Sequence, residues 1–164
     1  MLYKKILVPH DGSKPADNAL DHAVKLAKFC TKEDESIEII LLYVVEEIHF
    51  PPPSALLVGS GASNDNSAKR LVKDLYQEMT VEANTILKER RNKFESSGIS
   101  IKSLSIIGHH PVDKIIEFAD NEKADLIIMG STGLRGISKI KVLGSVSRGV
   151  AEKATISCPV MLVH

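Results

Sequence analysis

The feature that most constrains this chain is an alternation of two patterns along its whole length. Short apolar runs rich in Ile, Val and Leu take turns with longer stretches whose apolar residues recur every three or four positions. Residues 3–8 are the first run, closed by Pro9 and Gly12, and they predict a strand followed by a turn. Ser13 then caps a helix that has Pro15 in its first turn and runs to about Cys30, with Ala16, Leu20, Ala23, Val24 and Ala27 at helical spacing. Residues 37–45 are almost all apolar, as in a parallel strand covered on both faces. Residues 70–97 predict a long amphipathic helix with Leu71, Val72, Leu75, Met79, Ala83, Ile86 and Leu87 on its buried side and Gly98 at its end. A third strand is expected at 99–107, a helix opened by Pro111, a fourth strand at 125–129, a helix at 144–154 and a last strand at 159–163. This order predicts a single-domain α/β, Rossmann-like three-layer sandwich. Its five-stranded, mostly parallel sheet is expected in the order 3-2-1-4-5.

The alternation breaks once, at residues 46–68. That stretch holds Pro51-Pro52-Pro53, Gly59-Ser60-Gly61 and a run of Ser, Asn and Asp, and reads as a long flexible loop. Neither side of it is long enough to bury a core easily alone, so 164 residues are read as one domain. Composition narrows the class. The 21 basic and 21 acidic residues cancel, which argues against a globally basic nucleic-acid binder. No apolar run approaches the length of a membrane span, and the N-terminal run is too short for a signal peptide. Cys30 and Cys158 are too few for a disulfide scaffold or a cysteine-built metal site, and are expected to pack as small apolar groups. A cytoplasmic protein with reduced thiols is the reading these counts leave.

Residues 130–149 carry five of the ten glycines. Between Asp125 and Glu152 the only charges are Arg135, Lys139, Lys141 and Arg148. Glycine lets a backbone approach a ligand closely, and a helix starting after Gly144 would point free N–H groups and the positive end of its dipole at an anion. Ser145 and Ser147 add hydroxyl donors. The segment taken alone is equally open to a flexible loop before an ordinary helix. It is not a P-loop, because the Gly-Lys-Ser/Thr ending is missing, and it does not follow the first strand as a dinucleotide fingerprint would. In the expected strand order the turn at 9–13 and the loop at 130–144 face one crevice at the switch point. Asp11 would suit ribose hydroxyls there and the glycine-rich backbone would suit phosphates, a division that fits a mononucleotide. Asp11 is equally a turn-forming aspartate.

Four segments resemble the universal stress protein family: Val8-Pro9-His10-Asp11, Met129-Gly130-Ser131-Thr132-Gly133, Leu143-Gly144-Ser145-Val146-Ser147 and Cys158-Pro159-Val160-Met161-Leu162-Val163. The ATP-binding members share Gly-x2-Gly-x9-Gly-Ser/Thr. This chain matches at Gly130, Gly133, Gly144 and Ser145 but has ten residues, not nine, between the second and third glycines. The resemblance implies an ATP-binding sensor or switch, with AMP or ADP not distinguished. Pro9, His10 and Val44 would line an adenine pocket, Asp11 would hold the ribose, and Met129 and Gly130 would pass beside it. Ser131, Thr132, Gly133, Gly144, Ser145, Val146 and Ser147 would surround the phosphates. Mg²⁺ or Mn²⁺ would accompany those phosphates, without a further carboxylate pair to hold it. A homodimer through the last strand is also implied, and the apolar edge Val160-Met161-Leu162-Val163 favours one independently. A downstream protein partner is expected, its identity open. No activated nucleophile is evident, so catalysis would be at most slow ATP hydrolysis; the alternative is a dimeric scaffold that binds no nucleotide. His109 and His110 read as loop or cap residues, and His22, His49 and His164 as isolated surface histidines.

Overall fold

Ile6, Leu7 and Val8 are fully buried although their side chains point alternately to opposite faces, so both faces of this strand are covered. In the computed structural model, which describes residues 3–30, 36–47, 65–133, 143–154 and 158–164, they lie in the central strand of the sheet. The strands are β1 (Lys5–Pro9), β2 (Glu38–Glu46), β3 (Ser100–Gly108), β4 (Leu126–Gly130) and β5 (Val160–Val163). The helices are α1 (Lys14–Cys30), α2 (Asp65–Asn92), α3 (Pro111–Glu122) and α4 (Ser145–Lys153). The sheet has the order β3-β2-β1-β4-β5, as expected from the alternation, and every pairing is parallel.

Alternation along the strands sorts the core into two layers. Ile6, Val8, Ile39 and Leu41 pack with Leu20 and Val24 of α1 and Leu87 of α2. Leu7, Ile40, Leu42 and Ile127 pack with Ile115 of α3 and Val150 of α4. Cys158 lies buried in this second layer and Cys30 packs partly against the first, as small apolar groups do. Ser13 caps α1 as predicted: its carbonyl accepts from Asp17 N–H at 3.0 Å, and its Oγ accepts from Ala16 N–H at 3.3 Å.

Two boundaries differ from the sequence reading. The stretch expected as loop at 46–68 is regular at both ends, because β2 includes Glu46 and α2 begins at Asp65. Asp65, Asn66 and Ser67 are loop formers that are equally at home in the first turn of a helix. At the other end α2 stops at Asn92, and a 3₁₀ turn (Glu95–Ser97) follows with Phe94 packed against the first core layer. Gly98, at φ 73°, closes that turn. Leu71, expected on the buried side of α2, is 71% exposed, whereas Ala83 and Leu87 are buried. Residues 48–64 and the spacer at 134–142 lie outside the described residues.

Candidate functional site

The carboxyl ends of β1, β2 and β4 open into one crevice of about 520 Å³, a size typical of small-molecule sites. Of the thirteen residues assigned to a nucleotide site from sequence, twelve line it: Pro9, His10, Asp11, Val44, Met129, Gly130, Thr132, Gly133, Gly144, Ser145, Val146 and Ser147. The thirteenth, Ser131, does not; it is buried behind the wall.

The first wall is the turn after β1. Gly12, at φ 85°, allows the chain to reverse there. Its N–H donates to His10 Nδ1 at 3.0 Å, and Ser13 N–H donates to Asp11 Oδ1 at 3.0 Å. Asp11 therefore holds the turn with one oxygen, as the turn-forming reading has it, and presents the other across the crevice. His10 Nδ1 is an acceptor, so the proton sits on Nε2, which donates to Asp17 Oδ1 at 3.1 Å. Arg90 Nε of α2 donates to the same Asp17 oxygen at 2.6 Å. Burial pushes the His10 imidazole below its usual pKa, against the pull of Asp17 and Asp11. Burial also disfavours an Asp17 carboxylate, but the bond and charge of Arg90, with His10, hold its pKa below the usual range. With both ring nitrogens engaged, His10 supplies structure rather than a proton acceptor.

The second wall comes from the end of β4 and the start of α4. Gly130 sits where a Cβ would stand 2.8–2.9 Å from the backbone of Pro15 and Ala16, which lets β4 pass tightly under α1. Gly133 faces the first wall, and a Cβ on it would stand 2.5 Å from Asp11 Oδ2. Gly144 is the N-cap of α4 and brings no side-chain acceptor, so the amides of the helix's first turn are not capped from within. Ser147 differs from the sequence expectation: its hydroxyl donates to Ser131 O at 2.7 Å and approaches Gly144 O at 3.1 Å. Of the two expected hydroxyl donors, Ser145 alone remains exposed. Gly149, in the helix expected at 144–154, is a packing residue of α4, where a Cβ would meet Val112 of α3 at 2.8 Å.

Sequence reasoning missed the third side. Tyr43 and Glu46 of β2 and Met79 and Glu82 of α2 also line the crevice. Parallel register was the available signal for β2, since its end must lie beside the end of β1. Met79 and Glu82 are three residues apart on one helix face, and nothing distinguishes that spacing from an ordinary amphipathic helix. Tyr43 is held above its usual pKa by burial first and by the Asp11 and Glu82 charges second. The charged groups lining the crevice among the described residues are Asp11, Glu46 and Glu82, all acidic. Arg148 is exposed and donates to Leu143 O at 3.4 Å, while Arg135, Lys139 and Lys141 lie outside the described residues. No three His, Cys, Asp or Glu side chains converge on a metal position among the described residues.

Comparison with known proteins places this geometry in company. The model of the universal stress protein family matches residues 2–164. Universal stress protein MJ0531 of Methanocaldococcus jannaschii is 36% identical over 162 residues, covering 99% of this chain and 82% of its own. Universal stress protein MJ0577 of the same organism is 34% identical over 165 residues, covering 99% and 96%. The solved structure of MJ0577 superposes with a TM-score of 0.76, again over 99% and 96% of the two chains, at 30% identity in that alignment. A universal stress protein solved in complex with cAMP superposes with a TM-score of 0.61 at 25% identity, over 99% of this chain and 97% of that one.

Proposed function

Since the chain belongs to the universal stress protein family, we propose that its crevice binds an adenine nucleotide, ATP in the first instance, and that the chain acts as a nucleotide-dependent switch. One observation carries the reading. Asp11 and Gly133 meet across the β1/β4 switch point, so a hydroxyl-binding carboxylate and a phosphate-binding backbone face one ligand-sized space. The base would lie against Pro9, the His10 backbone and Val44, the ribose on Asp11 beside Met129 and Gly130. The phosphates would sit between Thr132-Gly133 and the first turn of α4, with Ser145 as the hydroxyl donor. The related protein solved with cAMP supports an adenine nucleotide without selecting ATP.

A divalent cation, Mg²⁺ or Mn²⁺, would be held mainly by the phosphate oxygens, because no protein cage for it forms among the described residues. It would offset the acidic lining of Asp11, Glu46 and Glu82. The proposal includes a cytoplasmic site of action and a homodimer paired through β5. Among the described residues no helix is long and apolar enough to cross a membrane.

Calorimetric titration of nucleotide-stripped protein with Mg-ATP and with AMP tests the reading. Micromolar binding near one per chain is expected, and Gly133→Val should abolish it while leaving the circular dichroism spectrum unchanged. No heat up to millimolar nucleotide would overturn the reading and favour a scaffold that binds no nucleotide.

A further inference from the structure

Ser131 is 1% exposed, its polar groups are all engaged, and its partners come from the start of α4 and the end of β5. Its N–H donates to Val163 O at 2.7 Å. Its Oγ pairs with His164 Nδ1 at 2.6 Å. Its carbonyl accepts both Gly144 N–H at 2.9 Å and the Ser147 hydroxyl at 2.7 Å. A single buried residue thus joins the end of β5 to the start of α4. His164 is itself held, since its carbonyl accepts from Asn18 Nδ2 of α1 at 2.8 Å. His164 is exposed, as the sequence reading expects, but its ring nitrogen and its backbone oxygen are each bonded into the fold.

We propose that His164 is a positioning residue for the phosphate-side wall of the crevice, acting through Ser131. The proposal rests on the nucleotide reading for its ligand but not for its structural link. Ser131 is 1% exposed with the imidazole in place, and His164 is itself exposed. Losing the ring exchanges a fixed partner of the hydroxyl for mobile water and removes one of the restraints on the Ser131 peptide. The carbonyl of that peptide is the acceptor that sets Gly144 and Ser147, and with them the first-turn amides of α4. Hydrogen bonds to phosphate are steep in distance and angle, so a small displacement there weakens them. Contacts on the base side, built from β1 and β2, have no part in this chain of bonds.

The test uses the full chain in two arms. In ligand-free protein, His164→Ala should speed hydrogen exchange at the Gly144 amide about fivefold or more and leave the Leu7 and Ile40 amides unchanged. In titrations, the same variant should lose about tenfold in ATP affinity and less than twofold in adenosine affinity. His164→Asn, which offers a polar atom near the place of Nδ1, should recover most of the loss. Ser131→Ala should reproduce the effect, and the double variant should be no worse than either single one. Unchanged Gly144 exchange overturns the proposal whatever the titrations give. Equal losses for ATP and adenosine, or no loss of either, overturn it too. If the unsubstituted protein binds neither compound, the nucleotide reading falls, and the exchange arm alone decides the role of His164.

Discussion

His10 lines the crevice while the fold engages both nitrogens of its ring. Its ring is wholly buried, accepts from Gly12 and donates to Asp17, so its neutral form is built into the turn that presents Asp11. Protonation at Nδ1 would break the Gly12 bond. Because burial lowers its pKa, the folded state binds fewer protons than the unfolded state between the folded value and about 6.5. Its contribution to stability is complete above about pH 6.5 and is lost as pH falls through the folded value. Asp17, also lowered, adds a loss of the same sign below its ordinary value of 3.8. His10→Asn retains an acceptor for Gly12 and removes the titration. The stability gap between the unsubstituted protein and this variant, measured by urea unfolding, should therefore narrow between pH 7 and pH 5. A gap independent of pH would exclude His10 as the titrating group. Sequence could mark His10 by its place after β1, but a ring bonded on both sides is a fact of tertiary distance. Arg90, the third member, stands 73 positions from Asp17.

At the scale of the element, α2 has two unlike halves. Its later turns bury Ala83 and Leu87 under the sheet and send Arg90 to Asp17 of α1. Its earlier turns carry Leu71 in the open. Arg90→Ala should cost about 1 kcal/mol, since a charge-assisted bond is lost where solvent can partly replace it. Leu71→Lys should cost less than about 0.5 kcal/mol. In thermal unfolding the first variant should melt roughly 2–4 °C lower and the second should match the unsubstituted protein. Equal shifts would mean that the exposed half packs in solution as well. Leu71 and Leu87 are 16 residues apart, which at 3.6 residues per turn puts them about 160° apart around the helix, so the period itself turns Leu71 away from the face that Leu87 buries. Strands were more legible, because β1 and β2 are covered on both faces, and short, near-continuous apolar runs of this kind suit the middle of a parallel sheet. The glycine pattern was legible in position but not in role: Gly133 faces Asp11, whereas Gly130 and Gly149 serve close packing.

At the scale of the whole molecule, β5 is an edge strand of four residues with Met161 41% exposed. Unpaired apolar edges recruit partners. The homodimer proposed through β5 should fall to a monomer in light scattering on Met161→Glu, and a unit mass unchanged by the substitution would remove β5 as the interface. The order of the strands has one more consequence, which belongs to synthesis rather than to the finished protein. β1 lies in the middle of the sheet, but its neighbours β2 and β4 are made at very different times. The Lys4 and Lys5 amides close on Asp125 Oδ2, at 2.8 Å each, across some 120 positions. At translation rates of about 5–20 residues per second, roughly 6–23 s separate Pro9 from Leu126. For that interval the nascent chain holds at best β3-β2-β1, with the flank of β1 bare. A chain arrested after β3 has emerged but before β4 has leaves this half-sheet open to pairing with its neighbour on the same message. The second wall is the last part of the crevice to emerge, so no ligand of the crevice can guard the chain during its most exposed seconds.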